Sequence, residues 1–174
     1  IPAITMRLFA EERRSGSLEL LVTLPITESE LVAGKYLAAV SLVAIALLLT
    51  ASYPLTLSTM GQLDLGPVAG GYLGLLLLGA AFTAIGTAAS AFTSNQIIAF
   101  FVALVVCLVP FATGFALAQV PAGLLPLVQY LSFETHFNNL ARGVIDSRNI
   151  VFYLSVCAFF VHLAVFGLEH RRLS

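Results

Sequence analysis

Four long apolar runs divide the chain, at about residues 36–60, 68–92, 97–118 and 150–168, and each is continuously apolar rather than alternating. A helix rises ~1.5 Å per residue and the hydrocarbon core of a bilayer is ~30 Å thick, so about 20 apolar residues cross it as a helix. A barrel strand would alternate over roughly ten residues and keep a polar lumen face. The pattern therefore predicts an all-α fold class. It is a polytopic membrane helical bundle, residues 1–174 as one domain, with four transmembrane helices. An amphipathic helix precedes the first span, and a helical hairpin fills residues 120–149.

Local signals refine these elements. Thr27 to Glu30 reads T-x-x-E, a capping box in which the Thr hydroxyl accepts an early helix N–H and the Glu reaches back to the cap. Pro25 closes whatever precedes it, so one helix is expected from Glu28 past Lys35 into the membrane. Pro54 lies inside that span and should kink it, because its ring removes one ladder bond. The second span carries Gly70, Gly74, Gly79, Gly86 and Ser90. Gly70/Gly74 and Gly86/Ser90 are small-xxx-small spacings, which let helices approach closely. In the hairpin region, Glu134, Asn138, Arg142 and Asp146 recur every four residues, with Phe137, Leu140, Ala141 and Val144 on the opposite face. Arg142 and Asp146 are placed to pair across one turn.

Composition agrees. Hydrophobic residues make up 59% of the 174-residue chain and charged residues 10%, with a mean hydropathy of +0.99. A soluble domain keeps about a quarter of its residues charged. Residues 36–63 and the 69 residues from 65 to 133 hold no Asp, Glu, Lys or Arg, and such a stretch cannot fold with a water-facing surface. A net charge of −1 gives no basic balance for nucleic acid. Cys107 and Cys157 both lie in apolar runs and read as small packed hydrophobes, not a disulfide framework. The chain begins Ile1-Pro2 with neither Met nor a basic n-region, as expected of a piece of a longer protein. Six of its eight Lys and Arg lie in residues 1–35 or 169–174, so those two segments are expected in the cytoplasm and the hairpin on the opposite side.

Catalytic chemistry is not legible. His136, His162 and His170 are scattered, with no HExxH and no paired Cys to make a metal site. No G-x-S-x-G elbow and no phosphate-binding P-loop occurs, so the chain is not expected to be an enzyme or to bind a cofactor itself. His162 within the fourth span raises a proton relay, but a neutral imidazole bonded to a neighbouring helix is the plainer account.

The informative stretch is EERRSGSLELLVTLP (residues 11–25), followed by a polar cap and LVAGKYL (31–37). It resembles the cytoplasmic coupling segment of ABC-2-type transporter permeases. SFETHFNNLARGVIDSR (132–148), the final span and LEHRR (168–172) look like the gliding-motility-associated subgroup. The resemblance covers essentially the whole chain. It implies six spans per permease, so this chain would lack the first two and its four would be the third to sixth.

The resemblance also implies partners and roles: a separate ATP-binding-cassette ATPase subunit that carries ATP and Mg, and a second permease copy. It implies a place in the inner (cytoplasmic) membrane and export as the direction. Phe9, Leu18 and Leu20 would dock on the ATPase, and Glu11, Glu12, Arg13, Arg14 and Glu19 would lie in the same coupling contact, the first four fixing its register. Gly16 would allow the turn between elbow and helix. Glu134, His136, Asn138, Arg142 and Asp146 would form the outer hairpin. Taken alone, the Glu/Arg cluster reads as an interfacial anchor; joined to the Leu-Pro helix, the cap and the hairpin, it reads as the coupling segment. An ion-coupled carrier or channel fragment is disfavoured by the nearly charge-free spans. A membrane enzyme or scaffold would need chemistry that these residues do not carry. A wall of Leu, Ala, Val, Phe and Gly suits lipids, hydrophobic drugs or a polymer as cargo. The charge bias predicts that a cysteine at Asn139, with Cys107 and Cys157 replaced by Ala, reacts with an impermeant maleimide only from the non-cytoplasmic side. Labelling only from the cytoplasm would invert the topology.

Overall fold

The computed structural model describes residues 1–17, 26–61, 64–116, 123 and 125–172. Among them every regular element is a helix: α1 Pro2–Thr5, α2 Arg7–Ser15, α3 Glu28–Thr50, α4 Ser52–Met60, α5 Leu65–Phe92, α6 Gln96–Ala116, α7 Leu125–Leu131, α8 Phe133–Ala141 and α9 Ser147–Arg172.

Helix ends follow the local chemistry. Thr27 forms the expected capping box, its hydroxyl accepting from Glu30 N at 3.3 Å while Thr27 N donates to the Glu30 carboxylate at 2.8 Å. The first span breaks at Ala51, three residues before Pro54, so the expected kink separates α3 from α4. Proline supplies no N–H to the ladder, which loosens the turn before it. Asp64 caps α5, its Oδ1 accepting from Gly66 N at 3.1 Å. Among the described residues, three helices are long and apolar enough to cross a membrane: Glu28–Met60, taking α3 and α4 together, then Leu65–Phe92, and Ser147–His170 of α9. The third predicted run is helical in α6, where Gln96–Ala112 is apolar but shorter.

Helix α5 is the centre of the bundle: α1, α2, α3, α6, α8 and, most extensively, α9 pack on it. Its buried positions are small apart from Ile85, among them Gly70, Gly74, Gly79, Gly86, Ser90 and Ala84. Lipid tails are as apolar as Leu, so helices in a bilayer associate through close packing and hydrogen bonds rather than by escaping solvent. The small residues serve three neighbours between them. Gly70 and Gly74 receive Leu140 and Phe137 of α8, Gly79 receives Val43 of α3, and Gly86 receives Thr5 of α1. One aromatic and aliphatic core joins Ile85 of α5, Cys107 of α6, Phe133 and Leu140 of α8, and Tyr153 and Cys157 of α9. Both cysteines are free and buried, as expected of small hydrophobes.

A methyl group at position 86 would overlap the side chain of Thr5, whereas one at Gly71 on the same helix meets nothing within 4 Å. Gly86→Ala should therefore destabilise by about 1–3 kcal/mol through overpacking. Gly71→Ala should be neutral or slightly stabilising. Thermal unfolding of the two purified variants in detergent checks the difference; equal midpoints would remove the packing role of Gly86.

Candidate functional site

The charged N-terminal segment is held to the bundle by one face of α2. Met6 separates α1 from α2, and the first donors of a helix have no partner within it. Ser90 of α5 fills that gap. Its Oγ accepts from Phe9 N at 3.0 Å and Ala10 N at 3.1 Å, and donates to Met6 O at 3.1 Å. One hydroxyl thus uses its proton and both lone pairs on the break. Phe9 and Ala10 are fully buried. Phe9 packs with Val32 of α3, Ala88 and Ala91 of α5, and Ala164 and Leu168 of α9.

Lys35 of α3 ties down the same turn. Its Nζ is ion-paired with Glu12, donates to Leu8 O at 2.6 Å, and lies 4.7 Å from the centroid of the Phe9 ring. With 18% and 29% of the Lys35 and Glu12 side chains exposed, the pair is partly shielded from water and salt. Gly16 then ends α2 at φ +74°, its N–H bonded to Arg13 O at 3.2 Å. That left-handed conformation costs glycine little and an L side chain about 1–2 kcal/mol, so the expected turn is present. Ser15 and Ser17 hydroxyls both donate to Glu12 O, closing the turn.

These placements revise the sequence expectations. Phe9 does not offer apolar surface to a partner: it is spent inside the chain, because the break beside Ser90 turns it onto α3, α5 and α9. Glu12 is engaged by Lys35 and does not project as a free charge. Glu11 and Arg14 are exposed and have no partner among the described residues, while Arg13 is half-buried. Leu18, Glu19 and Leu20 lie outside the described residues.

The predicted hairpin contains two short helices, α7 and α8, joined at Ser132, whose hydroxyl accepts from Thr135 N at 3.3 Å. Residues 117–122 and 124 of this region lie outside the described ones. The expected face of Glu134, Asn138, Arg142 and Asp146 does not extend along one helix. α8 ends at Ala141, and Gly143 turns the chain at φ +82°. Asp146 instead begins α9, its Oδ1 accepting from Arg148 N at 2.9 Å, and no Arg142–Asp146 ion pair forms among the described residues. Val144, assigned to the apolar face, is exposed. The buried face of α8 is Phe133, His136 and Leu140, at helical spacing. His136 binds inward: Nε2 donates to Tyr130 O at 2.9 Å, Nδ1 meets Asn149 Oδ1 at 2.7 Å, and the ring stacks 4.1 Å from Phe152. Tyr153 adds a bond to Phe133 O at 2.9 Å. His136 is thus a structural tie between α7, α8 and α9. His162 is exposed on α9 and has no bond to a neighbouring helix among the described residues.

Sequence reasoning missed Ser90 as a hydrogen-bonding partner, Lys35 as a clamp, and Asn149 and Tyr153 altogether. Only Ser90 left a trace, as the second member of the Gly86/Ser90 spacing. The clamp predicts that Lys35→Met and Glu12→Gln are not additive. A double-mutant cycle on thermal unfolding should give about 1 kcal/mol of coupling, as for residues in direct contact. Additive losses would show that the ion pair contributes nothing to holding α2.

The charged outer face of α2, its clamped inner face and the apolar helices behind it come from a chain that also matches a known family. No curated protein matches the chain. The family of ABC-2 family transporter proteins matches residues 2–169, nearly the full length. The chain belongs to the ABC-2 transporter family, as a multi-pass membrane protein and the transport subunit rather than the catalytic one.

Proposed function

We propose that this chain is the permease of an ATP-binding-cassette exporter, and that α2 with the segment after Gly16 receives the force of a separate ATPase subunit. The observation that carries this reading is the two-sidedness of α2. Its inner face is fixed to α3, α5 and α9 through Phe9, Ala10, Ser90 and Lys35, while Arg7, Glu11 and Arg14 stand exposed on the outside. An element that transmits a push needs a firm root and an open face, and α2 has both. Its root also includes Lys35, two turns into the helix that becomes the first crossing. Displacement of α2 is therefore passed to α3, and the discontinuity at Ala51 lets α4 respond as a separate piece.

In this reading α6 makes the fourth crossing, residues 1–35 and the C-terminal end of α9 face the cytoplasm, and α7 and α8 lie on the opposite side. The Lys and Arg distribution supports that placement. Two permeases would pair with two ATPases, as the family implies, each ATPase holding ATP and Mg. The cargo path would be formed from the apolar helices.

Charge reversal on the open face separates coupling from folding. Glu11→Lys with Arg14→Glu should leave insertion and thermal stability unchanged, since neither side chain has a partner among the described residues. It should weaken co-purification of the ATPase about tenfold or more, equivalent to about 1.4 kcal/mol. Stoichiometric recovery of an ATPase with undiminished cargo-stimulated hydrolysis in the variant would remove this face from the contact.

A further inference from the structure

A groove runs between α6 and α9 over the floor of α5. Its half nearer the start of α9 is a void of about 310 Å³ walled by Val106 and Pro110 on one side and Phe152, Val156 and Phe160 on the other, with Ile85 beneath. It continues towards the other end of α9 as a void of about 390 Å³ between Ile98, Val102 and Leu163, over Ala88 and Phe92. The α9 wall recurs at helical spacing. Arg148, four residues before Phe152, continues the same stripe beyond the apolar part. Together with Tyr130, Ser147 and Val151 it lines a shallow recess at that end, whose polar groups are the Arg148 guanidinium and the Ser147 and Tyr130 hydroxyls. The Tyr130 ring meets Phe152 edge-on at 6.0 Å and forms the sill between recess and groove. Arg148 is exposed, and its guanidinium has no partner among the described residues.

We propose that this groove is a resident lipid site, taking one acyl chain of an anionic phospholipid whose phosphate is held by Arg148. Three observations select this occupant. The walls belong to helices that lie in the bilayer, so the apolar void cannot be left to water. The dimensions agree: Arg148 to Phe160 is 12 residues, about 18 Å along a helix. One leaflet of a ~30 Å core is about 15 Å deep, so the cation and the inner end of the first void, at Phe160, stand about as far apart as a phosphate and the end of its acyl chain. The charge is complementary as well: a guanidinium with no partner among the described residues, above an apolar slot, matches a bidentate anionic head on a hydrocarbon tail. A free phosphate would use the recess but not the groove, and an apolar helix of another protein would use the groove but not Arg148. The lipid is a bound structural ligand and not the transported cargo. The site rests on the chain's place in a membrane and not on the coupling role of α2.

The assembled transporter, extracted in mild detergent and supplied with equal phosphatidylglycerol and phosphatidylethanolamine, tests this by native mass spectrometry. One phospholipid per chain should be retained, with phosphatidylglycerol preferred. Arg148→Gln should reduce that preference about fivefold without changing complex assembly. Val156→Phe, which places a ring in the open groove, should lower retention of both lipids. A phosphatidylglycerol bearing a photoreactive acyl tail should label α6 or α9 at the groove. The proposal is overturned if no lipid is retained, if Arg148→Gln leaves the preference intact, or if inorganic phosphate displaces the bound mass. It is also overturned if a photoreactive side chain at position 156 captures a protein in place of a lipid.

Discussion

Close approach of backbones along the small-residue face of α5 is the constraint on which the other helices depend. A soluble helix packs by removing Leu, Ile and Phe from water, but in hydrocarbon that driving force vanishes and fit takes its place. Gly70 admits the backbone carbonyl of Leu140 and Gly86 the Thr5 side chain, both of which a Cβ would overlap, while Gly74 and Gly79 give close room to side chains of α8 and α3. Ser90, one turn below Gly86, then adds direction to the contact. Its hydroxyl bonds only to the backbone at the break between α1 and α2, so it fixes where that break sits as well as how closely it packs. Without the notch at Gly86, Thr5 could not approach and Ser90 would be a buried hydroxyl without its partners, which is costly in a medium of low polarity.

From that anchor the arrangement extends to motion. The α2 turn is fastened to α5 by Ser90 and to α3 by Lys35, so in the proposed coupling these three elements would move as a unit at one end of the bundle. At the other end the first span is held weakly. α4 has no buried residue, and 86% of the Met60 side chain is exposed. The span is therefore rooted beside α2 and discontinuous at Ala51, a distribution that favours tilting over internal rearrangement. The far end of α9 is secured differently, by the polar and aromatic tie of His136, Asn149, Phe152 and Tyr153. Burying His136 among rings is tolerated because both ring nitrogens meet an oxygen, Tyr130 O and Asn149 Oδ1.

What the sequence made legible was whatever depends on short-range pattern. Continuous apolar runs gave helices. T-x-x-E placed the start of α3 at Glu28 and Pro54 announced the break; the turn at Gly16 followed from the family resemblance. The small residues of the second span marked it as a packing surface, although not which helix each would receive. The misreadings share one physical cause. Phe9 and Glu12 look outward in a linear motif because their partners, Ser90 and Lys35, lie 81 and 23 residues away, and no local period reports such a contact. The Glu134 to Asp146 face failed for the opposite reason. Its four-residue spacing is helical, but Gly143 in a left-handed turn interrupts the helix, and a polar period cannot register a single turn residue. His136 was counted as an outer polar group because its ring is amphipathic; only tertiary structure shows it under Phe152.

The central claim is that α2 and the beginning of α3 form one rigid lever through Lys35, Phe9 and Ser90. The most direct measurement is the distance between spin labels at Arg14 and Ala38, recorded by pulsed electron resonance on the assembled transporter without nucleotide and with ATP trapped. The account predicts one narrow distribution that is the same in both states, while a label pair from Arg14 to Met60 changes. A shift or broadening of the Arg14–Ala38 distance with ATP would show α2 moving independently of α3, and would contradict the lever.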